Sequence, residues 1–288
     1  MKRVRLGLVA DMHAGRTRSN IRSAEALGLL DAIVREANER AVDAFITLGD
    51  NVNATSASED REYLASVKTC LDGLRMPVLP IFGNNEFKFL GRDGAAQALG
   101  CNPASEVHTL HGYTLIVWRA DCTMSLERNL TLTDEDLAWL ERALQDASYP
   151  AILFLHVPID DHSLIGNHYF EHRPELARYS NAARARAMVE ASGKVVLVLA
   201  GHVHWNAGTT IDGIHYRTLP SLTDTFRVDA EPTAAWAILD LHDGRASLEV
   251  FGREPMTWSA PLKVEGAHWR RPLTSREFDD RMRAMWRG

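Results

Sequence analysis

The sequence predicts an α/β protein folded as one domain. Three observations carry this. Short apolar runs alternate with helix-period segments through most of the chain. Each run breaks off abruptly into a small polar cluster, as strands do at their carboxyl ends. The 288 residues suffice for a full core, and no internal repeat or low-complexity linker divides them.

The elements follow in order. Leu6 to Ala10 reads as a buried strand. The basic-then-apolar start resembles a leader peptide, but its apolar part is too short and runs straight into Asp11. Ser23 to Arg40 has the helical stripe Leu27, Leu30, Ile33 and Ala37. Ala44 to Leu48 is a second strand, broken by Gly49-Asp50-Asn51, which is also ordinary turn chemistry. A helix from about Glu59 to Leu74 presents Tyr63, Leu64, Val67 and Leu71. Pro77 to Phe82 is a strand ending in Gly83-Asn84-Asn85-Glu86, and Tyr113 to Trp118 is another. Thr133, followed by three acidic residues, caps a helix with the stripe Trp139, Leu140 and Leu144. Ala151 to Leu155 leads into His156. Residues 157–180 are irregular, Asn181 to Ala191 is helical, and Val195 to Ala200 ends in Gly201-His202-Val203-His204. Beyond this, short runs separated by Asp212-Gly213 and Asp243-Gly244 predict hairpins and an antiparallel half. Thr274 to Trp286, with Phe278, Met282, Met285 and Trp286 at helical spacing, predicts a terminal helix docked on the same domain.

Composition narrows the function class. A content of 45% hydrophobic and 24% charged residues is that of a soluble globular chain, and a net charge of -6 argues against binding nucleic acid through overall positive charge. No run is apolar enough to span a membrane. Cys70, Cys101 and Cys122 form no Cys-x-x-Cys pair, so neither a disulfide framework nor a thiolate metal site is indicated. A reducing cytoplasm fits this cysteine usage.

Five strand ends carry candidate ligands: Asp11 and His13, Asp50, Asn84, His156, and His202 with His204. Parallel strands would gather them on one sheet edge, where α/β proteins bind ligands. The imidazoles, carboxylates and amide oxygen together can hold two divalent cations, with a carboxylate bridging them. The mixed N/O set suits Mn, Fe or Zn better than Mg or Ca, with Mn or Fe favoured.

Taken together and in order, Asp11-x-His13, Gly49-Asp50-Asn51, Gly83-Asn84-Asn85-Glu86, His156 and Gly201-His202-x-His204 resemble the signature of the calcineurin-like metallophosphoesterases. The resemblance spans residues 6 to about 220. It implies a four-layer α/β/β/α sandwich with two central mixed sheets. It also implies a dinuclear site that hydrolyses phosphoesters through a metal-bridging hydroxide. Carried over residue by residue, Asp11, His13 and His204 hold one metal, Asn84, His156 and His202 the other, and Asp50 bridges them.

The chain departs from the family at Asn85, where the usual motif has a histidine. Asn85 can donate a hydrogen bond but cannot act as a general acid. That favours diesters or good leaving groups over simple monoesters, unless His162 or His168 from the irregular segment supplies the proton. The expected activity is a small-molecule phosphodiesterase. The alternatives are a phosphomonoesterase or protein phosphatase, a DNA nuclease, and a non-catalytic metal-binding regulator. For substrate contacts, Arg16, His168 and Trp205 are the candidates, with Tyr169-Phe170 as a stacking surface and Arg119 and Arg227 as further phosphate partners.

Overall fold

The structure, a computed structural model, describes residues 2–124, 129–226, 229 and 231–286. Strands β1 (Val4–Val9), β2 (Ala44–Leu48) and β3 (Val78–Ile81) are joined by helices α1 (Ala26–Glu39) and α2 (Ala57–Leu71) and lie parallel. All five residues of β2 are buried, so it reads as a continuous apolar run rather than an alternating one. Ser56 starts α2 by accepting the Glu59 amide on its side chain, three residues earlier than the stripe of apolar residues indicates.

After β3 come two short helices, α3 (Asn84–Phe89) and α4 (Gly91–Leu99), and then β4 (Glu106–Leu110) and β5 (Tyr113–Val117). Helix α5 (Asp134–Asp146) opens with a capping box between Thr133 and Asp136. Strand β6 (Ala151–Phe154), helix α6 (Ala182–Ser192) and strand β7 (Val195–Ala200) follow. The remaining strands are β8 (Ala207–Ile211), β9 (Ile214–Thr218), β10 (Trp236–His242), β11 (Arg245–Phe251) and β12 (Met256–Pro261), and the last helix is α7 (Ser275–Trp286).

The strands make two six-stranded sheets, ordered β12-β11-β10-β1-β2-β3 and β4-β5-β6-β7-β9-β8. Three apolar clusters define the layers. One, with Leu6, Leu8, Ile46, Tyr113, Phe154 and Leu197, lies between the sheets. A second packs the outer face of the β6–β7 sheet under α5 and α6, through Leu140, Leu144, Ala185 and Val189. The third packs the outer face of the β1–β2 sheet under α1, α2 and α4, through Leu30, Ile33, Leu64 and Ala95. This is the expected four-layer α/β/β/α sandwich of mixed sheets.

Three expectations need correction. The late strands are not one antiparallel half. The Asp212-Gly213 hairpin joins β8 and β9, but β9 runs parallel to β7, while β10 returns to the other sheet and pairs antiparallel with β1. Strands β4 and β12, absent from the sequence reading, are edge strands with alternating burial, and polar residues such as Thr109, Thr257 and Ser259 dilute their apolar pattern. Helix α7 forms where expected, but none of its described residues is buried, and Phe278, Met285 and Trp286 face solvent. Arg287, which follows it, lies outside the described residues.

No helix among the described residues is long and apolar enough to cross a membrane. The three cysteines are free thiols.

Candidate metal centre

Five of the parallel strands end at one edge, and each hands over a polar residue. Asp11 and His13 follow β1, Asp50 follows β2, Asn84 and Asn85 follow β3, His156 follows β6, and His202 and His204 follow β7. The chain leaves these strands abruptly. Asp11, His13, Asp50, His202 and His204 have left-handed backbones, with φ from +47° to +70°. Residues carrying a Cβ hold that region only when their surroundings over-determine it, and such strain gathers at functional sites. Two glycines make room for carboxylates. A Cβ on Gly83 would lie 2.0 Å from Asp50 Oδ1, and one on Gly201 would lie 2.7 Å from Asp11 Oδ2.

Each of the four histidines fixes one ring nitrogen on the protein and turns the other inward. His156 Nδ1 donates to the Leu48 carbonyl at 2.7 Å, and His202 Nε2 donates to the Leu176 carbonyl at 2.9 Å. His204 Nδ1 donates to Asp224 Oδ2 at 2.6 Å. His13 Nδ1 meets the Asn85 side-chain amide at 2.9 Å. The free nitrogens converge: His13 Nε2 and His204 Nε2 are 3.0 Å apart, and His156 Nε2 is 3.1 Å from Asn84 Oδ1.

Two groups of donors result, each with its atoms within 4.8 Å of one another: Asp11, His13, Asp50 and His204, and Asp50, His156 and His202. Asp50 belongs to both. Its Oδ1 is 3.4 Å from His156 Nε2, and its Oδ2 is 3.9 Å from His13 Nε2. Backbone amides hold the carboxylates, His202 N on both oxygens of Asp11 at 3.0 Å and Asn85 N on Asp50 Oδ1 at 2.8 Å.

The electrostatics of this cluster are those of a buried cation site. Burial lifts Asp11 and Asp50 well above the usual carboxylate range, with the charge of Glu86 adding to it at Asp50. Burial pushes His13 and His156 well below the usual imidazole value and His202 down to about 4. His204 differs. Burial lowers it, but Asp11 and Asp224 together outweigh that and raise it. Neutral imidazoles, buried carboxylates and an amide oxygen are the donors a divalent transition metal takes, and its charge would offset the burial of the carboxylates. The residues therefore fit two such ions.

The sequence profile of the calcineurin-like phosphoesterases matches residues 4–206, well over half of the chain. The chain belongs to that family. That family is one of phosphoesterases, and the donor groups described above are of the kind that could hold a metal ion. A glycerophosphodiester phosphodiesterase, GpdQ, of Enterobacter lignolyticus (strain SCF1) is 27% identical over 183 residues, 62% of this chain and 62% of that protein. The chain thus spans under two thirds of the length of that relative. Among solved structures, a dimetal phosphatase from Danio rerio superposes with a TM-score of 0.70 at 17% identity, over 88% of this chain and 98% of that one. A purple acid phosphatase from yellow lupin (Lupinus luteus) seeds gives a TM-score of 0.63 at 14% identity, over 90% of this chain and 54% of that one. These two likenesses describe the fold.

The phosphoesterase signature residues converge, but the expected substrate contacts separate. Arg16 is turned away to Glu59, 3.2 Å off, with its side chain 74% exposed. Arg119 is buried and spent on the Pro80 and Ala104 carbonyls and Glu106, so it is not available to phosphate. Arg227 lies outside the described residues. The arginine whose charge reaches His13 is Arg18, which the sequence reading passed over. His162 is not a solvated loop residue but buried, with Nδ1 3.2 Å from both oxygens of Asp160. His168 is exposed and its ring meets Tyr169 edge-on at 4.9 Å. Trp205 is half-buried against Phe226.

Three further residues, to which the sequence alone assigns no role, support the donors. Asp224, 1% exposed, braces His204. Glu86, fully buried, receives the Gly83 amide at 2.5 Å and the Val52 amide at 3.0 Å, so it ties the loop after β2 to the loop after β3; burial lifts it to about 7. Asn167 donates to the Val203 carbonyl between the two histidines of the His-x-His pair. Asp224 carried a usable signal, because Ser221-Leu222-Thr223-Asp224 is one more polar cluster shortly after a strand, here β9.

Proposed function

We propose that this phosphoesterase is a small-molecule phosphodiesterase in which Asp11, His13 and His204 hold one cation, Asn84, His156 and His202 the other, and Asp50 bridges them. The two ions would supply Lewis-acid polarisation of the phosphoryl oxygens and an activated water at neutral pH. The protein supplies position. For His156, His202 and His204 the inward nitrogen is set by the hydrogen bond on the ring's outer face, which fixes tautomer and ring orientation. Asp50, with one oxygen toward each donor group, would be the carboxylate that both ions share.

The observation that carries the preference for diesters is Asn85. Its backbone N–H is committed to Asp50 and its side chain to His13. The contact joins Asn85 Nδ2 to His13 Nδ1, and a side-chain amide does not release a proton near neutral pH. Asn85 therefore acts as a brace and offers no proton to a departing alkoxide. A diester with a leaving group that departs as a stable anion does not need one. Similarity to a protein described as a glycerophosphodiester phosphodiesterase agrees with this reading. The net charge of -6 weighs against a nuclease that relies on overall positive charge.

The test is a comparison on the purified Mn-loaded protein. Bis(p-nitrophenyl) phosphate is expected to turn over faster than a simple alkyl phosphate monoester. Faster hydrolysis of the alkyl monoester would refute the proposal.

A further inference from the structure

Beside the metal donors lies a surface of half-buried rings that the signature does not account for. The Tyr169 ring stands edge-on to His204 with centroids 5.3 Å apart, and Phe170 lies tilted against His202 at 5.2 Å. Phe226 joins Tyr169 at 6.1 Å and Trp205 at 5.8 Å. All four aromatic residues are partly exposed. They come from three separate stretches of chain, so their meeting is a product of the fold.

The surface is built, not incidental. Asn167, 2% exposed, takes the backbone amides of Tyr169 and Phe170 on its Oδ1 at 3.0 and 3.1 Å. Its Nδ2 donates to the Val203 carbonyl, between His202 and His204. One side chain thus pins the aromatic pair to the loop that carries two metal donors. On the far side Asn20 donates to Tyr169 Oη at 2.6 Å and to Asp224 Oδ1 at 2.5 Å, so the phenol and the brace of His204 share an anchor. Ordering half-exposed rings this tightly costs conformational entropy, which packing on only one face offsets in part.

The ring spacing decides what could lie there. A quaternary ammonium needs rings set apart as a box that admits it. Here Trp205 lies tilted by 37° against Phe226 at 5.8 Å and Tyr169 stands edge-on to Phe226 at 6.1 Å, so the three rings form one contiguous, angled cluster. Such a surface accepts the face of a planar group.

We infer that Tyr169, Phe170, Trp205 and Phe226 form a subsite for a planar aromatic substituent of the phosphoester, of the size of a nucleobase, next to the dinuclear centre. This rests on the phosphodiesterase reading of that centre and names the chemistry of one of the two ester substituents. Asn167 is its positioning residue.

The test measures binding rather than turnover. The non-hydrolysable phosphonate analogues of AMP and ribose 5-phosphate, which differ by the base alone, are titrated calorimetrically into the Mn-loaded full chain. The analogue carrying the base is expected to bind roughly tenfold tighter or more, the range of one base–aromatic stack. In Phe226→Leu and Trp205→Leu, which keep apolar volume but lose a ring, that advantage is expected to fall toward parity while metal content stays at the wild-type level. Equal affinity of the two analogues for the wild type, or an advantage that survives in both variants, overturns the subsite while leaving the phosphodiesterase reading intact. Failure of both analogues to bind also overturns the subsite, while the phosphodiesterase reading then stands or falls on the bis(p-nitrophenyl) phosphate comparison.

Discussion

The two donor groups share Asp50 and one edge of the sandwich, yet they are braced in different currencies. In the first, His204 leans on a buried carboxylate, Asp224, and the group contains two carboxylates of its own, Asp11 and Asp50. In the second, His156 and His202 lean on the carbonyls of Leu48 and Leu176, and Asp50 is the single carboxylate, with Asn84 adding a neutral oxygen. A carboxylate behind a histidine raises its basicity as a ligand, while a carbonyl mainly orients it. The first group should therefore bind its ion more tightly than the second. The lesson is that two sites assembled from similar side chains can be graded by the groups behind the ligands.

Three experiments strain this comparison. The largest effect belongs to the residue the groups share. Asp50→Asn removes the charge that the two donor groups share, and turnover is expected to fall about a thousandfold, the upper range for loss of one preorganised electrostatic group. Metal analysis of the same protein should show weakened loading at both groups, and full loading would contradict a bridging role.

Asp224 separates the two. Asp224→Leu should weaken the first group by about ten- to a hundredfold, as outer-shell losses do. Two-site Mn titration should show the second group little changed, and Asp224→Asn, which keeps an acceptor for His204, should recover part of the loss. Equal weakening of both groups would show that Asp224 acts on the fold rather than on His204.

The smallest effect is expected from pH. Donor groups must shed their protons to bind metal. Burial holds His13 of the first group well down, as it does His156, with His202 at about 4, so the contrast rests on Asp11, lifted by burial, and on His204, raised because Asp11 and Asp224 outweigh its burial. Protons therefore compete for the first group at higher pH than for the second. On acidification the first group's affinity should start to decline sooner, narrowing the gap between the sites. A gap that widens as pH falls would reverse the assignment.

Much of this was legible in the sequence because the fold and the site use the same signal. An apolar run that stops at Gly-Asp, Gly-Asn or Gly-His marks both a buried strand and a donor at its end. The glycines are there because Asp50 and Asp11 need the volume a Cβ would fill. What stayed hidden depends on long-range contact. Asp224 gains meaning from His204, twenty positions before it and across a hairpin. Arg119 reads as a phosphate ligand until its burial beneath the β3–β4 connection is seen. Periodicity found α7 but could not say what it packs on, since a stripe of Phe278, Met282 and Met285 looks the same whether covered or exposed.

Each proposed ion draws on both halves of the sandwich. Asp11, His13, Asp50 and Asn84 leave the sheet of β1, β2 and β3, while His156, His202 and His204 leave the sheet of β6 and β7. Neither sheet alone carries a complete set of donors. On that assignment the two layers would have to dock before metal could load, and the loaded ions would act as rivets through the open edge of the sandwich. Metal supply would then govern how long the folded molecule survives as well as whether it turns over substrate, because binding that belongs only to the native state draws the folding equilibrium with it.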